Sequence, residues 1–221
     1  MKKTFVCLAN SQKWGQRCVA GVELTDFDGN SYSIVQYNSQ PKWIRPVSKT
    51  THGEVPTRVV NRIQLLDIVE LEMVSEYPQG YQSENVLFDE RSIKVIGQVE
   101  QSSEEVARFQ HTGLTNLFGN QDRAIHVHAI GHITNSLVLI KPTSVKFDWV
   151  TYPDGNSQLR ATFLFGGVRY NLPVTDLNFR ARYYKNPRET IRHSDWYFTV
   201  SLGVKYSDNF HYKLIAAVLG F

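Results

Sequence analysis

Alternation of apolar and polar residues recurs along most of this chain, and a period of two is the period of a β-strand. Between Ile125 and Ile133 the odd positions are Ile, Val, Ala, Gly and Ile, while three of the four even positions are His. Val145, Phe147 and Trp149 point one way and Lys146, Asp148 and Tyr152 the other. Leu159, Ala161, Phe163 and Phe165 repeat the pattern after the turn residues Pro153-Asp154-Gly155-Asn156. These two segments predict a hairpin. Keeping both apolar sets on one face requires odd residues to pair with odd ones. A loop of three residues (154–156) or of five (152–156) satisfies this. With five, Trp149 faces Leu159, and Asp148 faces Arg160 as an outer-surface ion pair.

The first half reads the same way, with strands expected over Thr4–Leu8, Arg17–Leu24, Lys42–Val47, Ile63–Val74 and Ser92–Val99. The chain closes with Trp196–Leu202 and with Tyr212–Leu219. The latter is apolar on both faces, which predicts a strand that also packs against a neighbouring domain. One segment breaks the habit. Ser102 and Glu105 form a capping box, followed at helical spacing by Val106, Phe109, Leu114, Leu117 and Phe118, although Gly113 weakens the pattern. A helix over 103–118 would plug a barrel or join two halves. The expected fold is all-β: two tandem barrels over 1–102 and 123–221, with a helix and linker over 103–122.

Composition narrows the class. The 221 residues carry a net charge of +3 and two cysteines. Residues 1–110 hold 12 Lys/Arg against 14 Asp/Glu, and residues 111–221 hold 12 against 7, so an anionic partner is expected at the second half. Met1-Lys2-Lys3 followed by Thr4–Ala9 imitates a signal peptide, but its apolar stretch is shorter than the roughly 7–15 residues of an h-region. No run approaches the roughly 18 apolar residues of a membrane helix. Cys7 and Cys18 are too few for a disulfide framework or a zinc ribbon and are expected as buried thiols on neighbouring strands. The expected compartment is the cytoplasm, with no membrane partner.

Chemistry concentrates in a few places. Asn10, Ser11, Lys13 and Arg17 gather amide, hydroxyl and cationic groups around Trp14-Gly15, and Trp43-Ile44-Arg45-Pro46 adds a second Arg beside an aromatic. Such groups grip phosphates or base edges. The stretch Ala9-Asn10-Ser11-x-Lys13-x-Gly15-x-Arg17-Cys18-Val19-Ala20-Gly21, with Trp43-Ile44-Arg45-Pro46, resembles a bacterial family of dual OB-containing domains. Leu65-Leu66-Asp67-Ile68-Val69-Glu70, Tyr81-Gln82-x-Glu84-Asn85 and Leu139-Ile140-Lys141-Pro142 are similar to it as well. So are Trp196–Gly203 and Tyr212–Ala217. The resemblance spans nearly the whole chain. It implies two OB-like barrels that bind nucleic acid or nucleotides in defence or mobile-element settings, and it brings no catalytic residues.

A second cluster runs from Phe179 through Arg180, Arg182, Tyr183, Tyr184, Lys185 and Arg188 to Arg192 and His193. It reads as a basic loop with interleaved aromatics. Cations neutralise phosphates and aromatic faces stack bases. A third is His126-x-His128-x-x-x-His132, which on a continuous strand would share one face and could ligate Zn²⁺ or another transition metal. Asp67 falls on an apolar strand face, where burial demands a partner such as Arg45 or Arg17. Phosphate-loop, nucleophile-elbow and Cys-x-x-Cys signatures are missing.

The leading reading is a non-enzymatic module for single-stranded or modified nucleic acid or a nucleotide. Lys13, Arg17, Arg45, Arg180, Arg182, Lys185 and Arg188 would hold phosphates, and Trp14, Trp43, Tyr183 and Tyr184 would stack. Two alternatives stay open: a metal-dependent nuclease or hydrolase built on the three histidines, and an adaptor docking a protein encoded in the same operon.

Overall fold

A sheet with one apolar face must find a cover or curl upon itself. The computed structural model describes residues 1–221 in two units, Met1–Gln110 and His111–Phe221, and curling is the solution in each. In the first, β1 (Lys2–Lys13) and β2 (Gln16–Thr25) form a long hairpin. A small arm follows, made of β3 (Ser33–Ile34), β4 (Gln36–Tyr37) and β5 (Gln40–Pro41). Then come β6 (Trp43–Val47), the one-turn helix α1 (Thr57–Val60), β7 (Asp67–Glu76), β8 (Asn85–Phe88) and β9 (Lys94–Gln98). Helix α2 (Ser103–Ala107) ends the unit's regular structure.

Strand β1 pairs with β2 on one edge and β7 on the other, so the circuit β1-β2-β6-β8-β7-β1 closes. Its one parallel pair is β6 with β8. Counting the five barrel strands in chain order, the circuit runs 1-2-3-5-4-1, the order of an OB barrel. Phe5, Cys7, Val19, Ile44, Val69, Leu71 and Val86 fill the interior. Each fully buried side chain of this size contributes about 1.5–3 kcal/mol. Tight curling brings the backbones close at Gly21: a Cβ there would lie 1.8 Å from the Val6 carbonyl oxygen, so even alanine would force the hairpin apart.

The second unit repeats the circuit with looser closure. Strand β10 (Ala124–His126) leads into a 3₁₀ turn, followed by β11 (Leu137–Ile140), β12 (Thr143–Thr151), β13 (Ser157–Phe165) and β14 (Val168–Pro173). Helices α3 (Leu177–Lys185) and α4 (Pro187–Thr190) precede the final hairpin of β15 (Trp196–Lys205) and β16 (Phe210–Gly220). Only Lys141-Pro142 separates β11 from β12, and the two together take the part of β1. One pairs with β15, the other with β13. A single parallel bridge, Val174 to Ile215, links the three-stranded sheet to the four-stranded one, giving a curled half-barrel. Aromatics fill it: Phe147 lies 4.7 Å from Phe179 and 5.3 Å from Trp196, ring centre to ring centre.

The all-β reading with dual OB barrels holds. The helix expected over 103–118 is only Ser103–Ala107. Its cap is as expected, with the Ser102 hydroxyl accepting from the Glu105 N–H. Beyond it Gly113 and Phe118 take positive φ angles of 73° and 55°, which a helix does not tolerate. The basic segment expected as a loop is helical instead. The β12–β13 register matches the five-residue loop, with Trp149 opposite Leu159 and Asp148 opposite Arg160. Strand β16 is buried from Ile215 to Leu219. Within its unit the segment after β14 helps to cover it, since Thr175 donates to the Ile215 carbonyl and the Asp176 carboxylate accepts from the Val218 N–H. Cys7 is buried and Cys18 half-buried, on adjacent strands.

Candidate functional site

The first-unit candidates do not converge on one surface. Asn10 and Ser11 are buried in β1, and the Asn10 amide donates 2.8 Å to the Ile63 carbonyl. Trp43 and Arg45 lie on β6, every residue of which is buried. Arg45 pairs with Glu84, each side chain only 2% exposed. The expected phosphate contact at Arg45 and stacking face at Trp43 are therefore corrected, because a central barrel strand covered on both faces presents neither to a ligand. Asp67 consequently has no Arg partner; it accepts from the Gln64 N–H at 2.7 Å and the Gln98 amide at 3.3 Å. Burial still pushes its carboxyl above the usual range. Lys13 and Arg17 are half-buried, and loss of solvent lowers the Lys13 amine below its ordinary value.

Trp14 alone among the seven stands out into solvent, 60% exposed. With Gly15 it forms a two-residue hairpin turn, φ 49° and 76°. That conformation favours Asn-Gly and costs a bulky residue about 1–2 kcal/mol. The indole stacks on His52 at 4.5 Å and 22°.

The second unit groups its cations. Asp176 caps α3 by accepting from the Phe179 N–H at 2.9 Å. Phe179 then points into the core, and Tyr183, one turn on, is half-buried with its hydroxyl donating 2.7 Å to the Phe147 carbonyl. Tyr183 is thus a packing residue, which corrects its expected stacking role. Arg180 and Tyr184, four apart, share another side of the helix. The Arg180 guanidinium sits 5.9 Å from the Trp149 ring centre, and Tyr184 meets Trp149 edge-on at 6.2 Å and 88°. Tyr184 is 78% exposed. Arg180, Arg182, Lys185, Arg188 and Arg192 form no ion pair.

A feature missed in the sequence lies on the outer face of β12, β13 and β14. Arg160 donates from Nη1 to Gln158 Oε1 at 2.7 Å and to the Tyr152 hydroxyl at 3.3 Å. It also donates from Nη2 to the Asn171 carbonyl at 2.6 Å and from Nε to the Asn171 side chain. All four acceptors are neutral, so a fixed positive charge is left uncompensated on an open face. The corresponding first-unit strands, β2 and β6, are covered by contrast. The signal was present: Gln158, Arg160 and Thr162 alternate outward on β13.

The histidines do not form the expected stripe. Strand β10 stops at His126, whose Nδ1 accepts from the His128 N–H as the chain turns into the 3₁₀ segment. Their rings lie 4.9 Å apart. His132 is carried away from them to lie against Gly119. Nowhere do three or more His, Cys, Asp or Glu side chains group as metal ligands. No helix is long and apolar enough to cross a membrane.

Comparison with known proteins gives a match over residues 3–218 to the family described as dual OB-containing domain. Among solved structures, the chain is similar to a murine DNA-binding protein bound to double-stranded DNA. Identity is 8% and the TM-score 0.36, covering 100% of this chain and 98% of that one. It is also similar to a replication protein A heterotrimer bound to single-stranded DNA, at 9% identity and TM-score 0.34, covering 92% of this chain and 44% of that one. A third likeness is to the tetrameric p202 HIN2, at 9% identity and TM-score 0.29, covering 98% and 92%. No curated protein matches.

Proposed function

We propose, for a chain that belongs to the dual OB-containing domain family, that its C-terminal unit binds single-stranded nucleic acid. The observation that carries this is the run of five cations between Arg180 and Arg192, none in an ion pair, with Arg180 against Trp149 of the exposed Tyr184–Trp149 pair. Cations without carboxylate partners neutralise phosphates and release counterions. Exposed aromatic faces accept unstacked bases, each worth about 1–3 kcal/mol. A duplex keeps its bases stacked inside, so this combination favours a single strand. The Arg160 face lies on the second and third strands of the barrel, the side on which OB folds hold oligonucleotides.

The test is fluorescence anisotropy of a labelled oligothymidylate with the full chain. Arg180→Glu together with Arg182→Glu is expected to weaken binding by at least tenfold, and Tyr184→Ala by about fivefold or more. Unchanged affinity in both variants, or no binding by the native chain, would overturn the reading.

A further inference from the structure

On the outer face of β12, β13 and β14 a cation has passed over the carboxylate nearest to it. Arg160 donates to the side chains of Tyr152, Gln158 and Asn171 and to the Asn171 carbonyl, none of them charged. Its direct cross-strand neighbour is Asp148, the partner that an exposed guanidinium ordinarily takes. The neutral groups hold Arg160 away, and the Asp148 carboxylate is left to Lys146.

The same bonds decide what the face can offer. The side-chain oxygens of Tyr152, Gln158, Asn171 and Thr162 each accept a hydrogen bond from within the group, that of Thr162 from the Asn171 amide at 2.7 Å. The hydrogens left unspent all sit on donors: the Gln158 amide, the second Asn171 amide hydrogen, the Thr162 hydroxyl and one Nη2 hydrogen of Arg160. Arg169, two residues before Asn171 on the same face of β14, is exposed and adds a cation that forms no ion pair. Donors and positive charge match a ligand that brings acceptors and negative charge. In a nucleic acid the phosphodiester oxygens do so at every nucleotide, whereas base edges mix donors with acceptors.

We propose, resting on the reading of the C-terminal unit as a single-strand binder, that this face takes the sugar-phosphate backbone whatever the base. Gln158 and Asn171 are positioning residues: they keep the Arg160 charge from being quenched by Asp148.

Fluorescence anisotropy of the full chain at low salt, with labelled oligothymidylate and oligocytidylate of equal length, tests it. Gln158→Val with Asn171→Val removes the side-chain clamp using residues that suit a strand. Arg160 then turns to Asp148, and affinity for both oligonucleotides should fall by about threefold or more. Adding Asp148→Asn should recover most of that loss, a larger gain than the same change gives in the native chain. Asn171→Asp, nearly isosteric, keeps an acceptor for Arg160 but cancels its charge, and should weaken binding by a similar factor even where the valine pair disturbs the strand. Native binding with unchanged affinity in the valine variant and in Asn171→Asp overturns the proposal. So does a loss that Asp148→Asn fails to reverse, or one confined to a single oligonucleotide. No binding by the native chain overturns the single-strand reading itself, and this role with it.

Discussion

Asp148 stands directly across the β12–β13 hairpin from Arg160, yet the two do not pair. Lys146, two residues back on the same strand face, takes the carboxylate at 3.1 Å. Arg160 turns instead to Asn171, Gln158 and Tyr152. The guanidinium is thereby fixed in place with its charge still available to an anion.

Replacing Asp148 with Asn removes the one carboxylate beside this face. Oligothymidylate affinity at low salt should rise about two- to fivefold, through reduced repulsion of phosphate. Stability should change by less than about 0.5 kcal/mol, because the Lys146 pair is exposed. Anisotropy and urea unfolding measure the two quantities, and a fall in affinity would count against Arg160 as a phosphate contact.

The same hairpin shows how far sequence reaches. Its register was legible because alternation and loop parity fix which residues face each other. The ion pair was not, because a same-face competitor two residues away decides it. Strand β8 escaped notice: four residues long, it is held by a parallel partner, β6, about forty positions earlier. Arg45 shows the same blindness at the site, since only the fold brings Glu84 to it. Around Phe109 to Phe118 the apolar spacing was real but served turns. The Leu117 N–H, for example, is spent on the Tyr170 hydroxyl rather than on a helical carbonyl.

Arg45 and Glu84 make a structural prediction. Arg45→Ala takes the guanidinium away from the buried Glu84 carboxylate and should cost about 3–5 kcal/mol. Arg45→Met combined with Glu84→Leu should cost much less, since an apolar pair of similar volume needs no charge compensation. Urea unfolding of both variants decides the matter; equal losses would mean that the pair is not acting as a unit.

His111 supplies a pH dependence. Burial holds its imidazole down to about 4, while its backbone N–H donates to the Leu139 carbonyl at 3.0 Å and its Nδ1 accepts from the Leu139 N–H at 3.3 Å. The unfolded chain, with an ordinary value near 6.5, takes up this proton first. Stability is therefore fully present above about pH 6.5 and drains away toward pH 4, by up to about 3 kcal/mol. His111→Asn keeps an acceptor for Leu139 and should flatten the difference. Identical acid-unfolding curves for the two proteins would remove His111 as the cause.

Salt tests the central claim most directly. The logarithm of oligothymidylate affinity should fall linearly with the logarithm of salt concentration, with a slope of about −0.7 for each phosphate neutralised. The native chain should give a slope of at least about −2, and Arg180→Glu with Arg182→Glu should flatten it by about 1.4 or more. A native slope near zero, or the same slope in both proteins, would contradict a phosphate grip by the cations of α3.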